Sequence, residues 1–100
     1  MDAAKLHSHI DGHLASLVSH NVPAIEQDFV SDLRPFVAGI VETLPAPVET
    51  AQNVSLEVGA EKAIVINRIV GADGTVVTMR SEWIDSDGRP RILSGAPIDA

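Results

Sequence analysis

One hundred residues suffice for one domain with a modest core, and the chain is short enough that a second subunit often supplies missing burial. Apolar residues make up 45% of it, but only Phe29, Phe36 and Trp83 are aromatic, so the core has to be built from Val, Ile, Leu and Ala. Seven Lys and Arg against 14 Asp and Glu give a net charge of −7, which argues against a nucleic-acid partner, and the lack of cysteine removes disulfides, thiolate metal sites and a Cys nucleophile.

Leu6, Ile10, Leu14, Leu17 and Val18 recur at spacings of three and four, predicting an amphipathic helix over residues 3–19 that Gly12 weakens slightly. Asn21 followed by Val22-Pro23 reads as the cap and first turn of a second, short helix reaching about Val30. Ser31-Asp32 offers a further cap, with Pro35 in the first turn of a third helix that carries Phe36, Val37, Ile40, Val41 and Leu44. Pro45-Ala46-Pro47 ends the helical half, residues 1–45.

From residue 48 to 95 the period becomes two. Val54, Leu56 and Val58 alternate with polar residues, and an apolar strand runs from Ala63 to Val70. Ala72-Asp73-Gly74 and Asp85 to Gly88 are turn signals on either side of a strand from Thr75 to Ile84, and Arg91 to Ser94 closes a four-stranded antiparallel meander. The expected class is α+β, one domain of helices packed on a sheet. Val65, Asn67 and Ile69 share one face of the second strand, while Ile64, Ile66, Arg68 and Val70 share the other. On the next strand, Val77, Met79, Ser81 and Trp83 oppose Val76, Thr78, Arg80, Glu82 and Ile84. Both faces being partly apolar, a homodimer through Ile64, Ile66, Val76 and Thr78 is the expected cover for the outer one.

The polar N-terminal segment has no apolar stretch typical of a secretory signal, and no run approaches the ~20 apolar residues of a membrane helix. A cytoplasmic, bacterial-type protein without membrane contact is therefore expected.

The helices-then-meander order and the pattern Trp83-x-x-x-Asp87-Gly88-Arg89-x-x-Ile92, with the Asn21-Val22 step after the first helix, resemble the NTF2-like superfamily, in particular its SnoaL-like and ketosteroid-isomerase-like branch. The resemblance implies a curved sheet whose concave face holds the first helix, a cystatin-like cone with a pocket at its open end, and dimers packed sheet to sheet. The cone would be shortened, because Asp28 to Pro35 leaves little room for the family's extra strand. The isomerase-like members pair a carboxylate base with a Tyr and a protonated acid, and this chain has no tyrosine. That constellation therefore does not carry over intact.

Several residues are candidates on chemical grounds. His9 and His13, four apart, share a helix face, but two ligands are too few for a metal, so no metal or cofactor is expected. His13, beside Leu14, is a candidate acid or base, because imidazole is the side chain whose ordinary titration spans neutrality. Asp28 and Asp32 flank the helix break, and Asp32 is the second acid–base candidate although it also has a cap role to fill. Asn67 and Ser81 interrupt otherwise apolar positions near Met79 and Trp83, so these four are the candidate ligand-binding residues. Arg68, Arg80 and Glu82 read as cross-strand ion pairs. The expected function is binding of a small apolar or amphipathic molecule, homodimerisation, or both. The alternatives are an isomerase or dehydratase using His13 or Asp32, and a protein-interaction module presenting its outer sheet face.

Overall fold

A computed structural model describes residues 1–99, with helices first and a four-stranded antiparallel sheet second. Helix α1 spans Ala3–Ser19; Asp2 caps it by accepting from the Lys5 amide at 3.0 Å, and His20, left-handed at φ 54°, closes it. Its stripe buries Leu6, Ile10, His13, Leu14 and Leu17, as the period-3.6 pattern demands. Val18 is the exception, since it falls beyond the edge of the buried arc and is exposed.

Helix α2, Val22–Gln27, starts from Asn21, whose side chain accepts from the Ala24 amide at 3.3 Å. It stops three residues short of the expected Val30, because the chain there turns extended and Phe29 bridges to Ile92. The third helix is corrected in kind as well as in length. Ser31–Phe36 forms a 3-10 helix with Pro35 inside it, and only Val37–Glu42 is α-helical, as α3. Its N-cap is Val30 and no side chain caps it, so neither Ser31 nor Asp32 has the cap role expected of it.

The strands are β1 Val48–Val58, β2 Lys62–Gly71, β3 Val76–Ser86 and β4 Arg89–Ile98, paired in the order β1-β2-β3-β4. β1 and β4 are longer than the local alternation indicated. A register shift between Asn53 and Ser55 puts Val54 out of step with Leu56, so the expected Val54, Leu56, Val58 face is broken at its first member. A second shift lies between Glu82 and Trp83. The β3–β4 turn needs positive φ at both central residues, and Asp87 (52°) and Gly88 (84°) provide it.

The helices cover the sheet face that carries Ala63, Val65, Ile69 and Trp83, all buried in one cluster with the α1 stripe, Ile25, Phe29, Val37 and Ile92. Segment 28–30 is tied to the rim of that sheet, with the Val30 amide donating to Ile92 O at 3.0 Å and the Ile92 amide to Asp28 O at 2.6 Å. No helix among the described residues is long and apolar enough to cross a membrane.

Candidate functional site

Between the helices and the sheet lies a cavity of about 320 Å³. Leu17, Ile25, Leu33, Ile40 and Ile69 are among its aliphatic walls, drawn from all three α-helices, the 3-10 helix and β2. Four polar side chains interrupt the lining: His13 from α1, Asn67 from β2, Ser81 from β3 and Ser94 from β4. A mostly apolar volume with few oriented polar groups is the usual make-up of a small-molecule site.

His13 is 7% exposed and held on three sides. Its Nδ1 lies 3.0 Å from Asp28 Oδ2. Trp83 and Phe29 meet the ring edge to face, with centroids at 5.7 and 6.3 Å. A carboxylate offers only acceptors, so Nδ1 carries the proton of this bond and Nε2 carries the lone pair of the neutral ring. Nε2 has no partner among the described residues and is not sealed from solvent, and the ring lines the cavity. In its neutral form the imidazole is thus held as one tautomer, with the lone pair of Nε2 free. The other Asp28 oxygen accepts from Arg89 Nη2 at 2.6 Å, so the carboxylate is anchored on both sides. Such an arrangement orients a general base and stabilises the imidazolium formed when it takes a proton.

Asn67 is buried, and its Oδ1 accepts from Asn53 Nδ2 at 3.1 Å. Its own Nδ2 has no partner among the described residues, leaving a donor on the cavity wall. Ser81 Oγ accepts from Trp83 Nε1 at 3.0 Å and donates to Val65 O at a loose 3.5 Å. Met79 lines the same wall. Of the residues named from the sequence, the fold therefore brings His13, Asn67, Met79 and Ser81 together around one space. Trp83 is completely buried behind His13 and Ser81 rather than lining the cavity, and it acts on the site through those two side chains. Asp32 is exposed on the 3-10 helix and does not line the cavity.

Asp28 and Arg89 take the place that Asp32 was expected to fill. Asp28 sits at the C-cap of α2 and points back at α1, an orientation that depends on the angle between the two helices. Its sequence signal was faint: a carboxylate at the helix break, between Gln27 and Phe29. His9, one turn before His13, is not joined to it by a metal cluster: no group of three or more His, Asp or Glu among the described residues could hold an ion. Burial, followed by the Arg89 charge, lowers the His9 pKa from its ordinary 6.5.

On the other face of the sheet, Glu82 lies 3.6 Å from Lys62 and 3.7 Å from Arg80, while Arg68 has no ion-pair partner among the described residues. These pairs are solvent-screened and contribute little to stability. When the chain is compared with known proteins, no family model matches it and no curated relative does.

Proposed function

We propose that this chain is an NTF2-like domain that moves a proton on a small, neutral, largely apolar molecule held in the cavity. The observation that carries the reading is the His13–Asp28 pair opening an unpartnered Nε2 onto an aliphatic space. In this reading Nε2 removes a proton from the bound molecule, and Asp28 stabilises the imidazolium. Asn67 Nδ2 donates to an oxygen on the substrate, drawing off the electron pair released as the C–H bond breaks. The proton then returns at another atom, which is isomerisation, or leaves with a hydroxyl as water, which is dehydration. The volume suits a single ring or a short branched chain. Helices that precede a meander, the first one packed on the sheet's inner face, are consistent with a shortened cone of that superfamily.

The test is hydrogen–deuterium exchange at carbon. A panel of small cyclic and branched ketones is incubated in D₂O with the wild type and with His13→Gln, and exchange is followed by NMR. The wild type should exceed both buffer and His13→Gln on at least one ketone. A wild type no faster than the variant on every ketone counts against the reading.

A second reading concerns the outer sheet face, where Val54 and Val76 are 59% and 48% exposed beside Ile66, Thr78 and Ile98. This apolar surface supports a homodimer packed sheet to sheet through Ile64, Ile66, Val76 and Thr78. Sedimentation should give a dimer that Ile66→Glu dissolves, and a monomeric wild type refutes it.

A further inference from the structure

The chain carries seven Lys and Arg against 14 acidic residues, yet its cations are not spread evenly. Arg34, Arg89 and Arg91 are drawn to one corner by the Phe29–Ile92 bridge, which brings the start of the 3-10 helix against the start of β4. Lys5 joins them from α1, donating to Gly88 O at 3.0 Å in the β3–β4 turn. In a molecule of net charge −7 with seven cations, four of them thus belong to this corner.

The three guanidiniums are held by the fold to different extents. Arg91 is buried; its Nε donates to Ser86 O at 3.0 Å and its Nη1 to Gln27 O. Arg89 gives Nη2 to Asp28 Oδ1 and Nε to Pro90 O at 3.2 Å. Arg34 makes no hydrogen bond among the described residues, and its Nε is sealed from solvent without a partner. A buried donor left without a partner costs stability and calls for a reason. Arg34 Nη1 and Nη2, Arg89 Nη1 and Arg91 Nη2 also have no protein partner but remain open to solvent. The nearby carboxylates offset this charge only in part. Asp28 pairs with Arg89 and has both oxygens in hydrogen bonds, to His13 and Arg89, while Asp87 and Asp28 act on Arg91 without outweighing burial, Arg89 and Arg34.

The geometry points to an oxyanion site at this corner, in which a phosphate or carboxylate group of a small molecule bridges Arg34 and Arg91 with Arg89 beside it. Planar guanidiniums with parallel free N–H groups take such groups bidentately, and the buried, carbonyl-anchored Arg91 is ordered in advance. The field is registered by its neighbours. Arg91 is pulled below its ordinary pKa by burial and then by Arg89 and Arg34, while Arg89, Lys5 and Arg91 all push His9 the same way against Asp28. An anion here would relieve both. The site lies outside the apolar cavity and shares only Arg89 with the His13–Asp28 pair.

The His9 imidazole gives the readout. The full chain is followed by NMR through its histidine titrations in low-salt buffer, then with inorganic phosphate, with acetate, and with sodium chloride at matched ionic strength. Phosphate or acetate should raise the His9 titration point beyond the effect of chloride, saturably. Whichever of the two does so at lower concentration identifies the group recognised. Arg34→Gln removes no protein hydrogen bond and should weaken that response about tenfold or more, while Arg68→Gln on the outer sheet face should leave it unchanged. If chloride reproduces the whole shift, the effect is screening by an adventitious ion only and the proposal fails. It fails equally if a folded Arg34→Gln, checked by its amide spectrum, binds as the wild type does.

Discussion

His13 Nδ1 meets Asp28 Oδ2 at 3.0 Å, on a carboxylate whose second oxygen is already bonded to Arg89. The imidazole is therefore oriented by a partner that is itself oriented. Asp28→Asn keeps the shape but allows an amide N–H to face Nδ1, which forces the other tautomer and places the proton on Nε2. Any proton-transfer activity should fall by about 10²–10⁴-fold in this variant. Urea denaturation should show a loss of about 1–3 kcal/mol, below the full cost of a broken buried pair because Arg89 is partly solvated.

In the proposed reading Asn67 serves the ligand, and its hydrogen bond is not needed for folding. Asn53 Nδ2 also reaches Ser55 O at 3.1 Å and Ile66 O at 3.3 Å, so it stays satisfied without Asn67. Asn67→Leu should change thermal stability by less than about 1 kcal/mol while abolishing the orientation of an oxygen-bearing ligand. The check is a melting curve beside a ligand titration.

Two glycines should respond to alanine in opposite directions. A Cβ at Gly71 would meet Pro45 Cβ at 2.5 Å and Asp73 Oδ1 at 2.8 Å, whereas one at Gly12 meets nothing within 4 Å. Gly71→Ala should cost about 1–3 kcal/mol by overpacking. Gly12→Ala, inside α1, should add about 0.5–1 kcal/mol from lower unfolded-chain entropy and better helix propensity. Chemical denaturation of the two variants measures both signs.

The elements readable in advance were those whose pattern is local. The α1 stripe and the Val65, Asn67, Ile69 face of β2 repeat with the period of their own backbone, and nothing distant alters them. The bulge at Asn53 and Ser55 has no composition of its own, so the face of Val54 was decided by pairing with β2 rather than by β1 alone. Asp28 reads locally only as a carboxylate at the helix break, which does not foresee a histidine 15 positions earlier. Arg89 and Arg91 reach Asp28 and Gln27 beside a bridge between Phe29 and Ile92 that no short window contains. The 3-10 helix is not distinguished by its sequence, because Pro35 fits the first turn of an α-helix equally well.

Asp73 gives a pH-dependent prediction. The Thr75 amide, 3.0 Å from its Oδ1, lowers its carboxyl below the ordinary 3.8. A folded-state pKa below the unfolded one contributes stability above the unfolded value and loses it as pH falls through the folded value. The advantage of the wild type over Asp73→Asn should thus be present near neutrality and vanish in strong acid. Denaturation curves across the acid range decide it, with a pH-independent difference as the contrary result.

His9 behaves in the reverse way. Because burial and Arg89 lower its pKa from 6.5, the unfolded chain takes up that proton first, and stability falls as pH drops below that value. His9→Gln removes this liability. Relative to the wild type, the variant should gain stability between about pH 8 and about pH 5, which paired thermal melts at the two pH values will register.

The bridge that fastens segment 28–30 to β4 also governs how the sheet ends. An unpaired outer strand invites another chain to dock on it and extend the ladder indefinitely. β4 offers little purchase: Ile92 already spends its amide and carbonyl on Asp28 and Val30, and Pro90 and Pro97 have no N–H to give. β1, the opposite margin, carries Glu49 and Glu57 and is broken by its bulge, so incoming strands meet like charge and a kinked template. Growth into fibres by strand addition is thus discouraged at both margins.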